Sequence, residues 1–178
     1  MAIADIQSAT FTSAADEEIH SAVEVLPSAS LARRNNAAND SQRAIKCVER
    51  FLPGESGKSN GTRVHYGHIS VTRLLSPLPG APGSFGIRIT IPILGVPTAI
   101  EPTTPHLYLD AFAFLSGPAE IRLLTTSFPH PVSQATDTRL LSILRSRTEE
   151  NKLALATKQY SQVSVAGRRV PGAALRHP

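Results

Sequence analysis

The sequence has few cysteine and aromatic residues and no long apolar run. It holds one cysteine, Cys47, which excludes an internal disulfide and a cysteine-based zinc site. Tryptophan is absent and aromatic residues make up 5 %, so a core must be built mainly from aliphatic side chains. No apolar run approaches the roughly 20 residues of a membrane-spanning helix, and no signal-peptide pattern opens the chain. We therefore expect an intracellular, cytoplasmic protein without a transmembrane segment.

What is present fits one domain whose two ends differ in charge. Of the 178 residues, 41 % are hydrophobic, enough for a single core. Residues 1–27 carry five acidic side chains and no lysine or arginine, whereas residues 158–178 carry four basic side chains and no acid. We predict a mobile or helical acidic arm over residues 1–40, a single α+β core over 41–166 and a basic tail over 167–178.

Helical spacing of apolar residues predicts three helices. They are expected at residues 13–26, 41–52 and 136–156. In the first, Ile19 and Val23 lie on one face, and in the last Thr136 or Asp137 can cap the N-terminus. The segment 28–40 is rich in serine, alanine and asparagine, and this composition indicates a linker.

A period of two over residues 62–128 predicts an antiparallel sheet. In its clearest strand, every second residue from 87 to 93 is isoleucine, and Pro92 within it indicates either an edge strand or a bend at that residue. Residues 106–115 are apolar on both faces, which predicts a covered central strand. A short C-terminal strand around Val163 and Val165 is expected to complete the sheet. The predicted fold class is therefore α+β, with this sheet packed against N-terminal helices and one long C-terminal helix.

One short motif resembles a nucleotide-binding loop. The string GESGKS from Gly54 to Ser59 is similar to the end of a P-loop, in particular that of heterotrimeric G-protein α subunits. A P-loop needs a glycine where this chain has Leu52, and it needs a helix after the lysine, where a strand pattern begins here. The sequence therefore does not predict nucleotide hydrolysis.

No catalytic residue, metal or cofactor is predicted. The motifs of serine hydrolases and zinc proteases and a cysteine–histidine pair do not occur, and the histidines lack a reinforced metal-ligand pattern. Asp110 is the exception, because it lies close to Phe112 and Phe114, where an unpaired carboxylate is costly. It can pair with Arg88 or Arg122 across the sheet, lie on an open sheet edge, or act as a general acid or base.

The leading functional hypothesis is a non-enzymatic, self-associating assembly protein without a small-molecule substrate. Its copies are expected to meet through apolar residues of two segments, namely Ile19, Val23, Ile87, Ile89, Ile91 and Ile93. Its basic C-terminal residues are expected to contact RNA, a nucleoprotein or an anionic membrane surface, through Lys158, Arg168, Arg169 and Arg176. Small viral matrix and coat proteins share this overall character, although no motif identifies such a family.

Two alternatives from other classes stay open. One is a small dimeric RNA-binding regulator of the silencing-suppressor or movement type, whose RNA affinity would fall steeply with salt. The other is a small-ligand binding or enzymatic domain with a pocket near Asp110. This second alternative predicts that Asp110→Asn abolishes an activity and leaves stability nearly intact, whereas a large loss of stability would indicate a structural ion pair.

Overall fold

The structure, a computed structural model, describes residues 2–14, 17–51, 57–59, 62–75, 78–94 and 104–166. The described strands are β1 (Ala4–Gln7), β2 (Phe11–Thr12), β3 (Glu18–Val25), β4 (Gly57–Ser59), β5 (Thr62–Tyr66), β6 (Ser70–Leu74), β7 (Phe85–Leu94), β8 (His106–Ser116) and β9 (Ala119–Ser127). The described helices are α1 (Ala29–Asn39), α2 (Gln42–Phe51) and α3 (Gln134–Ala166). An antiparallel sheet combined with helices confirms the α+β class.

The chain divides into two compact units. The first, Met1–Ser142, contains the sheet, α1, α2 and the beginning of α3. The second, Ile143–Pro178, contains the remaining described part of α3. All of the sites considered below lie in the first unit.

The strands form one antiparallel sheet in the order β1-β3-β9-β8-β7-β5-β4, with β2 pairing β3 and β6 pairing β7. Side chains of partnered residues share a face of a sheet. One face carries Ile87, Ala111 and Leu124 side by side, and we call it the helix face because α2 packs on it. The opposite face carries Gly86, Phe112 and Leu123, and we call it the Phe112 face.

The helix face is covered by α2, as the apolar stripe in residues 41–52 predicts. Ile45 of α2 is buried together with Ile69 and Val71. Alternate isoleucines of β7 pack against this cluster, namely Ile87, Ile89 and Ile91. Burial of each aliphatic side chain stabilises the fold by about 1.5–3 kcal/mol. The alternation that predicts β7 therefore serves an intramolecular core.

The prediction that β7 is an edge strand is wrong. It lies between β8 on one side and the two short strands β5 and β6 on the other. The carbonyl of Pro92 accepts a hydrogen bond from the Gly67 N–H at 2.7 Å, in the break between β5 and β6. The backbone N and C=O of a strand residue point to the same side of the strand. The N–H that Pro92 lacks would therefore have pointed toward this break between β5 and β6.

Two interpretations of the N-terminal segment are also wrong. The helix predicted at 13–26 is instead β3, which lies between β1 and β9 and satisfies its backbone groups with both neighbours. The linker predicted at 28–40 is instead α1, where the Ser28 hydroxyl accepts a hydrogen bond from the Leu31 N–H at 3.1 Å, as a helix N-cap does. The predicted N-terminal arm therefore supplies strands and a helix to the first unit.

The C-terminal part departs from prediction in one element. The long helix predicted from 136 is confirmed as α3, but Val163 and Val165 lie within this helix and form no strand. The predicted basic tail, 167–178, lies outside the described residues.

Lys58 and Ser59 of the P-loop-like string lie in β4, whereas a P-loop would place them at a helix N-terminus. None of the helices in the described ranges is both long and apolar enough to cross a membrane.

Gly86 allows an aromatic ring to cross β7. An ideal Cβ at Gly86 would lie 2.6 Å from Cδ1 of Phe112, its cross-strand partner, whose side chain is buried. We expect Gly86→Ala to lower the free energy of unfolding by about 1–3 kcal/mol, because the ring must move in a packed core. Urea denaturation measures this loss.

The cause is checked by combining Gly86→Ala with Phe112→Leu. Since leucine lacks the ring, the alanine should cost less in the double variant than in the wild-type background. Equal costs in both backgrounds would show that contact with the ring does not explain the loss.

Candidate interaction edge and buried charges

The N-terminal residues form one outer edge of the sheet. Residues 3–12 run along β3, where the Ile3 N–H donates to the Val25 carbonyl at 2.7 Å and the Ser8 N–H donates to the Ser21 carbonyl at 2.8 Å. In the part of the chain that the structure describes, no further strand pairs with β1. Among the described residues, the outward backbone groups of β1 therefore have no partner strand, as at the open edge of a sheet.

A β-bulge interrupts this edge between β1 and β2. Gln7 pairs with Ala22 and Phe11 pairs with Ile19, so three residues of the edge lie opposite two residues of β3. Successive side chains of a regular strand alternate between faces, which would place residues 6 and 11 on opposite sides. The extra residue of the bulge reverses this relation, so Ile6 and Phe11 share a face.

The bulge creates an apolar surface that we call the edge patch, formed by Ile6, Phe11, Ile19 and Val23. Ile6 pairs with Val23 across the strands, as Phe11 pairs with Ile19. Ile6 and Phe11 are 64 % and 63 % exposed, and their two partners are half-buried. The structure thus brings together Ile19 and Val23, which the sequence predicts as association residues, and adds two residues that the prediction missed.

The other predicted association and contact residues lie elsewhere. The isoleucines of β7 lie on the helix face, whereas the edge patch lies on the Phe112 face. Lys158 lies in α3, but its side chain is outside the described part. Arg168, Arg169 and Arg176 also lie outside the described residues. The described residues therefore do not test the predicted basic contacts.

Asp110 pairs with Arg88, as one of the three interpretations of the sequence predicts. The Arg88 Nε donates to Oδ1 of Asp110 at 2.7 Å and Nη2 donates to Oδ2 at 2.6 Å. The two residues are cross-strand partners of β7 and β8. The hydrogen bond to Asp110 raises the pKa of Arg88, although partial burial opposes its charge. The arrangement is a planar, two-point ion pair of the kind that arginine favours.

Asp137 adds a second buried carboxyl to the Phe112 face. Its side chain is 2 % exposed and its Oδ1 atom has no hydrogen-bond partner in the described structure. Burial, together with the negative charge of Asp110, raises the pKa of Asp137 to about 7, while Arg88 opposes this shift. Neither Thr136 nor Asp137 caps α3 as predicted, because Ser133 does so by accepting a hydrogen bond from the Thr136 N–H at 3.1 Å.

A separate charge cluster lies on the helix face. Glu120 is fully buried and accepts hydrogen bonds from Arg122 Nε at 2.7 Å, Asn35 Nδ2 at 3.3 Å and Asn39 Nδ2 at 3.5 Å. Arg122 also donates to Glu24 of β3. Burial opposes the charge of Arg122, but Glu120 and Glu24 raise its pKa. The cluster ties α1 to β9 and β3, which is a structural role.

The comparisons with known proteins give no family. The sequence matches no known protein family and no curated protein. Among solved structures it is similar to the extracellular domain of PknH from Mycobacterium tuberculosis, with 10 % identity and a TM-score of 0.38. The matched region covers 68 % of this chain and 52 % of that chain, so this chain spans about half the length of that domain.

Proposed function

We propose that the protein is a non-enzymatic assembly protein whose copies associate through the edge formed by β1 and β2. The observation that carries this proposal is the exposure of Ile6 and Phe11 on one face of an edge whose outer side no described strand pairs. Open edges pair with other strands because their outward N–H and C=O groups lack partners. Exposed apolar side chains beside such an edge add the gain from removing them from water.

The second copy is the partner that fits this edge most simply. Two β1 strands related by a twofold axis would pair antiparallel and join the two sheets into one. The same axis would bring the edge patches of both copies together on one face of the joined sheet. Such a contact uses the β1 edge of each copy, so it closes at a dimer rather than growing into a filament.

Ile6→Lys should abolish this association. The variant removes an apolar contact from both copies and places two charges at the interface. With about 1.5–3 kcal/mol for each apolar side chain, we expect the dissociation constant to rise at least about a hundredfold. Size-exclusion chromatography with light scattering, run over a series of protein concentrations, measures the change.

Leu75→Lys is the matched control for this experiment. Leu75 is 83 % exposed but lies after β6, away from the edge. We expect wild type and Leu75→Lys to be dimers at high concentration and Ile6→Lys to be a monomer. A wild-type monomer at every concentration contradicts the proposal, as does equal behaviour of the two lysine variants.

Contact with RNA or another anionic partner stays a prediction, because Arg168, Arg169 and Arg176 lie outside the described residues. The analogy with viral matrix and coat proteins and an intracellular, cytoplasmic location also stay predictions. The self-association proposal depends on none of these.

A further inference from the structure

A cavity of about 500 Å³ lies on the Phe112 face, beside the beginning of α3. Its apolar wall includes Leu74, Leu75, Phe112 and Val132, and its polar wall includes Arg88 and Asp137. A volume of this size is typical of pockets that bind small organic molecules. The cavity is formed by β6, β7, β8 and the start of α3, away from the β1 edge, so an inference from it does not rest on the proposed function.

The charges that line this cavity are unbalanced. Arg88 is bound by both carboxylate oxygens of Asp110. Arg73 pairs with Ile87 in the sheet, so its side chain lies on the helix face, where it is bound to Asp40 with an Nη1–Oδ1 distance of 2.5 Å. Each arginine is therefore already neutralised by a carboxylate. Asp137 has no such partner, so the uncompensated charge in the cavity wall is negative when its carboxyl is ionised.

The groups that face Asp137 oppose its ionisation on balance. Asp110 from β8 and Glu17 from the segment before β3 repel its negative charge, and Arg88 from β7 attracts it. Burial adds the cost of removing a carboxylate from water. A positively charged group in the cavity would supply the compensation that the protein itself does not provide.

We propose that this cavity is a binding site for a small organic cation, with an ammonium group directed to Asp137 and an apolar body against Phe112, Leu75 and Val132. An anion is disfavoured because Arg88, the arginine whose side chain lies on the cavity's face of the sheet, is already paired with Asp110. A metal ion is disfavoured because no group of three or more His, Cys, Asp and Glu side chains gathers among the described residues, whereas the cavity offers a largely apolar wall.

The probes that test this site are 2-phenylethylammonium and 3-phenylpropionate, which are similar in size and opposite in charge. We expect the ammonium to bind the full chain and the carboxylate not to bind, as measured by isothermal titration and saturation-transfer NMR. Because Asp137 ionises near pH 7, affinity for the ammonium should rise about tenfold between pH 6 and pH 8.

Asp137→Asn assigns the binding to this carboxyl. The variant should lose at least tenfold in affinity for 2-phenylethylammonium at pH 8 and should lose the dependence on pH. Glu150→Gln removes an exposed acid further along α3 and should leave both unchanged. The proposal is overturned by absent binding of the ammonium, by equal binding of 3-phenylpropionate, or by unchanged affinity in Asp137→Asn. If Asp137→Asn does not fold, wild-type affinity that is equal at pH 6 and pH 8 overturns it as well.

Discussion

Asp110→Asn is expected to lower the free energy of unfolding by about 3 kcal/mol, at the lower end of the range for breaking a buried ion pair. Asp110 is 1 % exposed and Arg88 is 22 % exposed, so hydration in the variant cannot fully replace the lost ion pair. An asparagine keeps one acceptor but turns its amide N–H groups toward the guanidinium. The charge of Arg88 would then lose its hydrogen-bonded carboxylate, and only the attraction of Asp137 would remain.

Asp40→Asn provides the matched control, because Asp40 pairs with Arg73 at the surface. These side chains are 38 % and 47 % exposed, and exposed pairs contribute at most about 1 kcal/mol. Urea denaturation of both variants at pH 7 compares them under one condition. A loss in Asp110→Asn no larger than that in Asp40→Asn would show that the Arg88 pair does not anchor the sheet.

Asp137→Asn is expected to have an effect of similar size and opposite sign. The pKa of Asp137 is raised from an ordinary value near 3.8 to about 7, so the folded chain holds this proton more tightly than the unfolded chain does. The stability that the protonated Asp137 carboxyl gives the folded chain is therefore fully present below about pH 4, and it is lost as the pH rises through 7. At pH 8 the neutral asparagine should stabilise the protein by on the order of 4 kcal/mol.

The dependence on pH distinguishes this effect from a change in packing. The unfolding free energies of wild type and Asp137→Asn should be close at pH 4 and should separate steadily up to pH 8, with wild type the less stable. Two curves that run parallel over this range would mean that Asp137 keeps an ordinary acidity in the folded chain.

The sequence correctly predicts the elements in which apolar side chains recur with one period, that of a strand or that of a helix, over the whole length. The alternating isoleucines of β7 and the apolar stripe of α2 pack against each other, so the same burial explains both patterns and both structures. Residues 106–115 are apolar on both faces because β8 lies at the centre of the sheet. Local pattern and tertiary packing agree in these segments.

The N-terminal segment shows where a local pattern is ambiguous. Ile19 and Val23 are four residues apart, a spacing that places them on one face of a helix and also on one face of a strand. The strand prevails because β9 and β1 pair with both of its sides, and neither partner is visible in the local sequence. Asn35 and Asn39 similarly indicate a linker in the local sequence. In the structure they lie in α1 and donate hydrogen bonds to Glu120, which is distant in sequence.

The candidate sites were predictable to different degrees. Asp110 stands out in the sequence because it is an acid in an apolar strand, and its possible pairing with Arg88 follows from the antiparallel pattern. Asp137 carries no such signal, because its burial depends on where the start of α3 lies in three dimensions. The edge patch depends on a one-residue bulge, although the β-branched Ile3 and Ile6 could have indicated a strand there.

The position of β3 also determines when the sheet can be completed during synthesis. β3 leaves the ribosome roughly a hundred residues before its inner neighbour β9 is made. Until then, the side of β3 that pairs with β9 is uncovered, whereas β1 and β2 are already made and can pair with its other side. While the residues between β3 and β9 are being made, the nascent chain therefore exposes one unpaired side of β3, and this is the stage at which chaperones would matter most.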